Sequence, residues 1–280
     1  MKGIGRRKLK SNLAFFVCFL MALWGLFWLC FILFDVLRHG ITALNPALFL
    51  NDPAPPGFPG GGLRHAIVGH FLITIFATLI GVPIGILGGT YLAEYGRRSK
   101  VARFISALAD IMISIPAIIV GAFIYAIMVK PMGHFSGWAG AVSLAIIMIP
   151  IVVRTTENML TLIPWTLREA AFALGAPYHK VILQIVYRGA STGILTGIIL
   201  AVARVTGEAA PLLFTSFNSA YFSLDMSNPM ASLTITIFQY AMGPYDDWHT
   251  QAWGASLIIT VFILILTLAG KFVISRRFKH

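Results

Sequence analysis

Long apolar runs separated by short polar ones set the pattern of this chain. Six stretches, roughly residues 12–35, 66–93, 104–129, 138–156, 190–217 and 251–275, are long and apolar enough to cross about 30 Å of hydrocarbon. The pattern predicts an all-α polytopic membrane protein of about six transmembrane helices. Between the first two runs lies NDPAPPGFPGGGLRH, whose prolines and glycines predict an irregular loop. No long-period repeat and no hydrophilic run of domain size interrupts the pattern, so residues 1–280 read as a single transmembrane domain. The first apolar run extends for about 23 residues from Asn12, longer than a signal-peptide core, and no A-x-A site follows it, so it reads as a retained span.

Helix breakers punctuate the runs. The second holds Gly81, Pro83, Gly85, Gly88 and Gly89, and the fifth opens on Gly189, Gly193 and Gly197. Glycines four apart line one helical face and let another backbone come close, whether a helix of this chain or one of a second subunit. Pro116 and Pro150 are expected to kink the third and fourth spans.

Composition agrees with a membrane protein. The chain is 58% hydrophobic and 11% charged, with a mean hydropathy of +0.84, against about 25% charged residues in soluble domains. The net charge of +11 would point to nucleic acid in a soluble protein; here its distribution gives another cause. With the N-terminus inside, the cytoplasmic side carries Lys2, Arg6, Arg7, Lys8, Lys10, Arg97, Arg98, Lys100, Arg103, Arg154, Arg168, Lys180, Arg188, Lys271, Arg276, Arg277 and Lys279. The other side carries Arg38, Arg64 and Lys130, so the split is 17 against 3, with Arg204 left inside a span. That bias follows the positive-inside rule, puts both termini in the cytoplasm and requires no nucleic-acid partner. Cys18 and Cys30 lie about 18 Å apart along one helix and cannot bridge each other.

The longest inside loop, residues 154–189, is too polar to insert yet well patterned. Leu167, Ala170, Ala171 and Leu174 fall at helical spacing, Gly175, Ala176 and Pro177 break the helix, and Val181, Ile182, Ile185 and Val186 mark a second amphipathic run. The expectation is a helix, a bend and a helix at the membrane surface. Its apolar face would bury against the protein's own helix ends or dock into a partner's groove.

EAAFALGAPYHKVILQI, within that loop, resembles the E-A-A-x-x-x-G-x9-I signature of the membrane subunits of binding-protein-dependent ABC importers. Glu169, Ala170, Ala171, Gly175 and Ile185 match, while Tyr187 and Arg188 depart from the I-x-L-P that closes the signature. Within that family ARVTGEAAPLLFT, residues 203–215, is similar to a run of the phosphate-specific permeases, as are YLAEYG at 91–96, GGGLRHAIVGHFLIT at 60–74 and NPMASLTITIFQYA at 228–241. The resemblance covers about residues 60–275. It implies a type I ABC importer permease fold in the bacterial cytoplasmic membrane, with residues 157–188 as the coupling loop that fits a cytoplasmic ATPase. It also implies a sister permease subunit that completes a heterodimeric pore, an ATPase dimer, an extracytoplasmic phosphate-binding protein, inorganic phosphate as substrate, and no cofactor. Two alternatives stay open: a permease for another oxyanion or solute, and a self-sufficient carrier or channel. The latter would have no ATPase for the helix–bend–helix loop to dock.

Arg204 and Glu208 carry the chemistry of the fifth span. Arg204 lies roughly 22 Å beyond Gly189 along a helix, past the middle of a bilayer. A central arginine costs about 2.5–3.5 kcal/mol on insertion scales, so it is expected to face a polar cavity or a partner. Glu208 four residues on would share its helical face. The two either neutralise each other or form an anion site. A guanidinium fork matches two phosphate oxygens, and a carboxylate can accept the hydroxyl of a protonated phosphate. Thr206 as a local donor and Gly207 as a point of close approach complete the expected pathway group.

The remaining charges carry weaker expectations. Asp110 is expected to stay hydrated near the cytoplasmic interface, Glu94 and Glu157 to make loop ion pairs, and Asp225, Asp246 and Asp247 to lie in the outer loop within reach of a binding protein. His65 and His70 are five apart, a poor spacing for a shared metal. No G-x4-G-K-[ST] loop occurs, so the chain is expected to hydrolyse no ATP itself.

Overall fold

A computed structural model describes residues 2–96 and 99–277; of the basic residues counted above, Arg97, Arg98 and Lys279 lie outside the described residues. The architecture is helical, with no strand among the described residues. Among the described residues five helices are long and apolar enough to cross a membrane, or six if one bent pair counts as a single span.

Helix α1 runs unbroken from Lys2 to Ala43, longer than the expected first span, and its apolar face is exposed along most of its length. It is anchored near its C-terminal end. His39 stacks on Trp253 with ring centroids 4.8 Å apart, and Gly40 approaches Leu257 so closely that a Cβ there would lie 2.6 Å from the Leu257 Cβ. A short α2, Pro46–Leu50, starts on Asn45, whose side chain accepts from the Leu48 amide at 2.7 Å. The Pro/Gly-rich segment then crosses without helix to α3, Arg64–Tyr95, whose last turn, Tyr91–Tyr95, is π-helical.

α3 packs along α6, Gly137–Thr161, the most buried of the spans. The glycine stripe is the reason. Gly81 meets Met148, Gly85 meets Val152 and Gly89 meets Thr156, while Gly193 and Gly197 of the fifth span meet Met159 and Thr155 of the same α6. Of the two uses left open for these glycines, the intramolecular one holds: both stripes seat their helices on α6. Pro150 lies inside α6, which continues through it.

The third span is not kinked but broken. α4, Lys100–Ser114, and α5, Ala117–Met132, meet at 105°. Pro116 supplies no amide proton, and Ile115 before it is held extended at φ −72°, ψ 128°. The fifth span also departs from expectation. α8, Tyr178–Thr206, ends at Gly207, leaving residues 207–217 to a turn and a 3-10 segment, Leu212–Phe214. Pro211 cannot donate to the carbonyl a helix would offer it, so the apolar run outlasts the helix. Helix α7, Trp165–Ala173, lies between α6 and α8. Unforeseen from the sequence is α9, Leu233–Ala241, capped by Ser232 and too short to cross. The chain closes with α10, Asp246–Arg277, with Asp246 and Asp247 in its first turn, where a helix dipole favours acidic groups.

Candidate functional site

The two breaks converge on one cavity. The end of α4 (Met112, Ile113, Ile115), the start of α5 (Pro116, Ala117), Ile147 and Ile151 of α6, and Arg204 and Glu208 line a cavity of about 160 Å³, roomy enough for several waters. Interrupted helices at membrane depth are tolerated where protein buries them or where they line a polar space. The first residues of α5 bring that helix's electropositive end to the cavity wall.

Arg204 occupies the last turn of α8, where carbonyls without helical partners stabilise a cation. Glu208 lies beyond the helix end, so the expected shared helical face is not how the two meet. The Glu208 amide donates to the Val205 carbonyl at 3.1 Å, and its carbonyl accepts from the Thr234 hydroxyl at 3.2 Å, which ties it to α9. Arg204 is exposed and Glu208 half-buried, and among the described residues no ion pair joins them or engages either side chain. Thr206 points elsewhere: it is fully buried and its hydroxyl donates to the Val202 carbonyl at 2.7 Å. Gly207 is exposed, and a Cβ there would meet nothing nearer than the Arg204 carbonyl at 3.6 Å.

At the opposite end of α8 the signature segment takes the expected helix–bend–helix form. The Gly175 amide donates to the Phe172 carbonyl at 2.9 Å and the Ala176 amide to the Ala171 carbonyl at 3.1 Å, with Gly175 at φ +79°. This is a Schellman C-cap, and it explains a glycine at that place in the signature. The apolar face expected on Leu167, Ala170, Ala171 and Leu174 is not buried. Ala171 and Arg168 face inward, whereas Glu169, Ala170, Leu167 and Leu174 are exposed, the last at 89%. Ile185 packs half-buried with Ala171, Val181 and Val186; Val181–Val186 form a π-helical turn of α8.

Tertiary ion pairs stand where only loop pairs were expected. Arg168 and Glu94 meet at 2.6 Å with side chains 3% and 1% exposed. Arg154 donates to Asp110 at 2.8 Å and to Glu157 at 2.7 Å, so Asp110, though largely exposed, is paired rather than merely hydrated. Arg154–Asp110 and Arg168–Glu94 join different helices, and spacing along the chain carries no sign of them, whereas Arg154 and Glu157 pair three residues apart within α6. Asp225 organises its own turn, accepting from the Ser227 amide and the Asn228 side chain at 2.9 Å each. His65 and His70 are buried in α3, and among the described residues no cluster of three His, Cys, Asp or Glu could hold a metal.

The family described as "Binding-protein-dependent transport system inner membrane component" matches residues 81–279. The chain is 50% identical to the phosphate transport system permease protein PstA of Pasteurella multocida (strain Pm70), over 98% of this chain and 97% of that protein. It is 47% identical to the protein of the same name from Yersinia pestis, over 98% and 92%. Among solved structures, a chain of the MetNI methionine ABC transporter in an inward-facing form superposes with a TM-score of 0.58 at 21% identity, covering 77% of this chain and 94% of that one. A chain of an amino acid ABC transporter gives a TM-score of 0.55 at 17% identity, covering 76% and 91%. At such identities the likeness concerns the fold alone, that of a type I ABC importer permease.

Proposed function

The chain belongs to the family of binding-protein-dependent transport system inner membrane components, and from that premise we propose that it is the membrane permease subunit of an ATP-driven phosphate importer. In this reading it forms half of the translocation pathway, and a sister permease completes the pore as a heterodimer. A cytoplasmic ATPase dimer docks on the coupling loops, and an extracytoplasmic phosphate-binding protein delivers substrate. The chain spans the bacterial inner membrane several times with both termini in the cytoplasm, and it holds no ATPase site of its own.

The observation that carries the substrate assignment is the cavity between the broken α4–α5 pair and the end of α8, lined by one guanidinium and one carboxylate. Arg204 supplies a planar fork for two phosphate oxygens. Glu208 accepts the hydroxyl of HPO4²⁻ or H2PO4⁻. Sulfate brings no such hydroxyl at neutral pH and would leave the acceptor unpaired. A single arginine per subunit keeps the site weak enough to release what it binds.

The mechanism is alternating access. Closure of the ATPase dimer draws the coupling helices together through the exposed face of α7, with Glu169, Ala170, Ala171, Gly175 and Ile185 shaping the docking segment. The helices pivot, and the cavity at Arg204 changes the side to which it opens.

The test is uptake of inorganic phosphate into proteoliposomes holding all subunits, with and without ATP. Uptake that requires ATP and the binding protein is the expected result. Uptake by this chain alone, driven by a gradient, would replace the importer with a self-sufficient carrier.

A further inference from the structure

The Arg168 guanidinium sits at the meeting point of four segments. It donates from Nε to Glu94 Oε2 at 3.3 Å and from Nη2 to Glu94 Oε1 at 2.6 Å, a two-pronged contact with the last turn of α3. Nη2 also donates to the Leu160 carbonyl at 3.1 Å, and Nη1 to the carbonyls of Ile163 at 2.5 Å and Pro164 at 3.5 Å. These belong to the end of α6 and the turn that leads into α7. From the start of α8 the Tyr178 hydroxyl donates to the Glu94 carbonyl at 3.0 Å. Ala93, next to Glu94, and Ala171, one turn from Arg168, belong to one buried apolar cluster with Leu160, Val181 and Val186.

We propose that the Arg168–Glu94 pair is the transmission pivot of the transporter, the joint through which a displacement of helix α7 reaches α3 and α6. This rests on the reading of the exposed face of α7 as the ATPase-docking surface.

Three features of the structure support it. First, α7 is joined covalently to α6 and α8, but it reaches α3 only through side chains, and Arg168 provides the charged link. Its exposed side carries Leu167, Glu169 and Leu174, so a push on that side bears on Arg168 beneath. Second, stability alone would not select a buried ion pair, because well-packed apolar residues of similar volume do as well or better. A guanidinium offers what apolar packing lacks, a rigid fork holding acceptors from separate elements at fixed angles. Third, both helices at the joint leave α geometry there, in the π-helical turns Tyr91–Tyr95 and Val181–Val186. Such turns are frequent at functional sites.

Arg168 and Glu94 are thus positioning residues for transport, and they touch no substrate. The test uses the complete transporter in proteoliposomes and reads ATP hydrolysed per phosphate taken up, normalised to assembled complex. Arg168→Lys keeps the charge but not the fork, Glu94→Gln keeps the shape but not the charge, and Tyr178→Phe removes one hydroxyl. The first two are expected to hydrolyse ATP at wild-type rates while the ratio rises about tenfold, a typical coupling between sites, with a smaller rise for Tyr178→Phe. Assembled variants with the wild-type ratio would overturn the pivot. So would failure of all three to assemble, which would make the pair a fold staple. If only Arg168→Lys fails to assemble, the other two decide by the same ratio. A wild-type transporter without ATP-dependent uptake would instead overturn the importer reading itself.

Discussion

Arg204 and Glu208, four residues apart, line the same cavity without pairing: one closes the last turn of α8, and the other stands beyond the helix end, held by α9. The separation changes what each can do. A guanidinium already spent on an internal ion pair has less to offer an anion, whereas this one, engaged by no ion pair among the described residues, would offer both prongs in the proposed site. Replacing Arg204 with Gln is expected to lower ATP-dependent phosphate uptake at least about a hundredfold, the loss of a charge-assisted bidentate contact of about 3 kcal/mol. Lysine should restore a fraction of it. Uptake assays on equal amounts of assembled complex check this, and near-normal uptake in Arg204→Gln would remove Arg204 from the pathway.

In the proposed site Glu208 would govern selectivity rather than rate. Because it is not needed to neutralise Arg204, Glu208→Gln should leave the protein assembled. An unpaired buried acceptor costs about 1–3 kcal/mol, so discrimination between phosphate and sulfate should fall roughly five- to a hundredfold. Competition of sulfate against labelled phosphate measures it, and an unchanged ratio would refute the carboxylate's role.

The buried Arg168–Glu94 pair makes a separate prediction about stability. Arg168→Met alone leaves a carboxylate buried without its partner and should destabilise the protein by about 3–5 kcal/mol. Arg168→Met combined with Glu94→Leu should recover most of that, since no charge remains unpaired. Thermal unfolding of the two variants in detergent distinguishes them. The double variant should remain poorly coupled even where its stability returns.

Much of the fold was legible in the sequence for a plain reason: hydrocarbon imposes length and apolarity on every span. The six apolar runs and the helix–bend–helix loop follow from that and from glycine and proline placement. What hydropathy could not mark is where a helix stops inside an apolar run. Residues 207–217 stay largely apolar, with Pro211 and Leu212 buried, so only Gly207 and Pro211 hinted that α8 ends early. The degree of bending at Pro116 was equally hidden, since proline breaks the ladder but packing sets the 105° angle. Arg204 and Glu208 were readable as charges out of place. The Arg168–Glu94 pair was not, because its members lie on helices far apart along the chain.

Gly175 offers a test of the bend independent of charge. At φ +79° it lies in the left-handed region, and a Cβ there would meet nothing within 4 Å, so any penalty is conformational and not steric. Gly175→Ala should cost about 1–2 kcal/mol, while Gly175→Asn, whose side chain tolerates that region, should cost less. Gly175→Val should disturb the bend most and lower uptake more than it lowers ATP hydrolysis. Equal losses of both activities would point to a general folding defect instead.

The approach of α3 to α6 can be tested against a position where nothing approaches. A Cβ on Gly85 would lie 2.6 Å from the Val152 Cβ, 2.7 Å from its Cγ1 and 3.2 Å from the Ile149 carbonyl. None of these is the far end of a flexible chain that could swing aside, so Gly85→Val must push the two helices apart. Overpacking of this kind costs about 1–3 kcal/mol, and here it also shifts the α6 wall of the Arg204 cavity, because Ile151 lies one residue from Val152. Gly25 in α1 has no neighbour within 4 Å of the same added atom, so Gly25→Val should leave stability and uptake near wild type. If Gly25→Val proved the more damaging of the two, the exposed face of α1 would have to carry a contact made only in the assembled transporter, and the glycine stripe would not be what holds α3 in place.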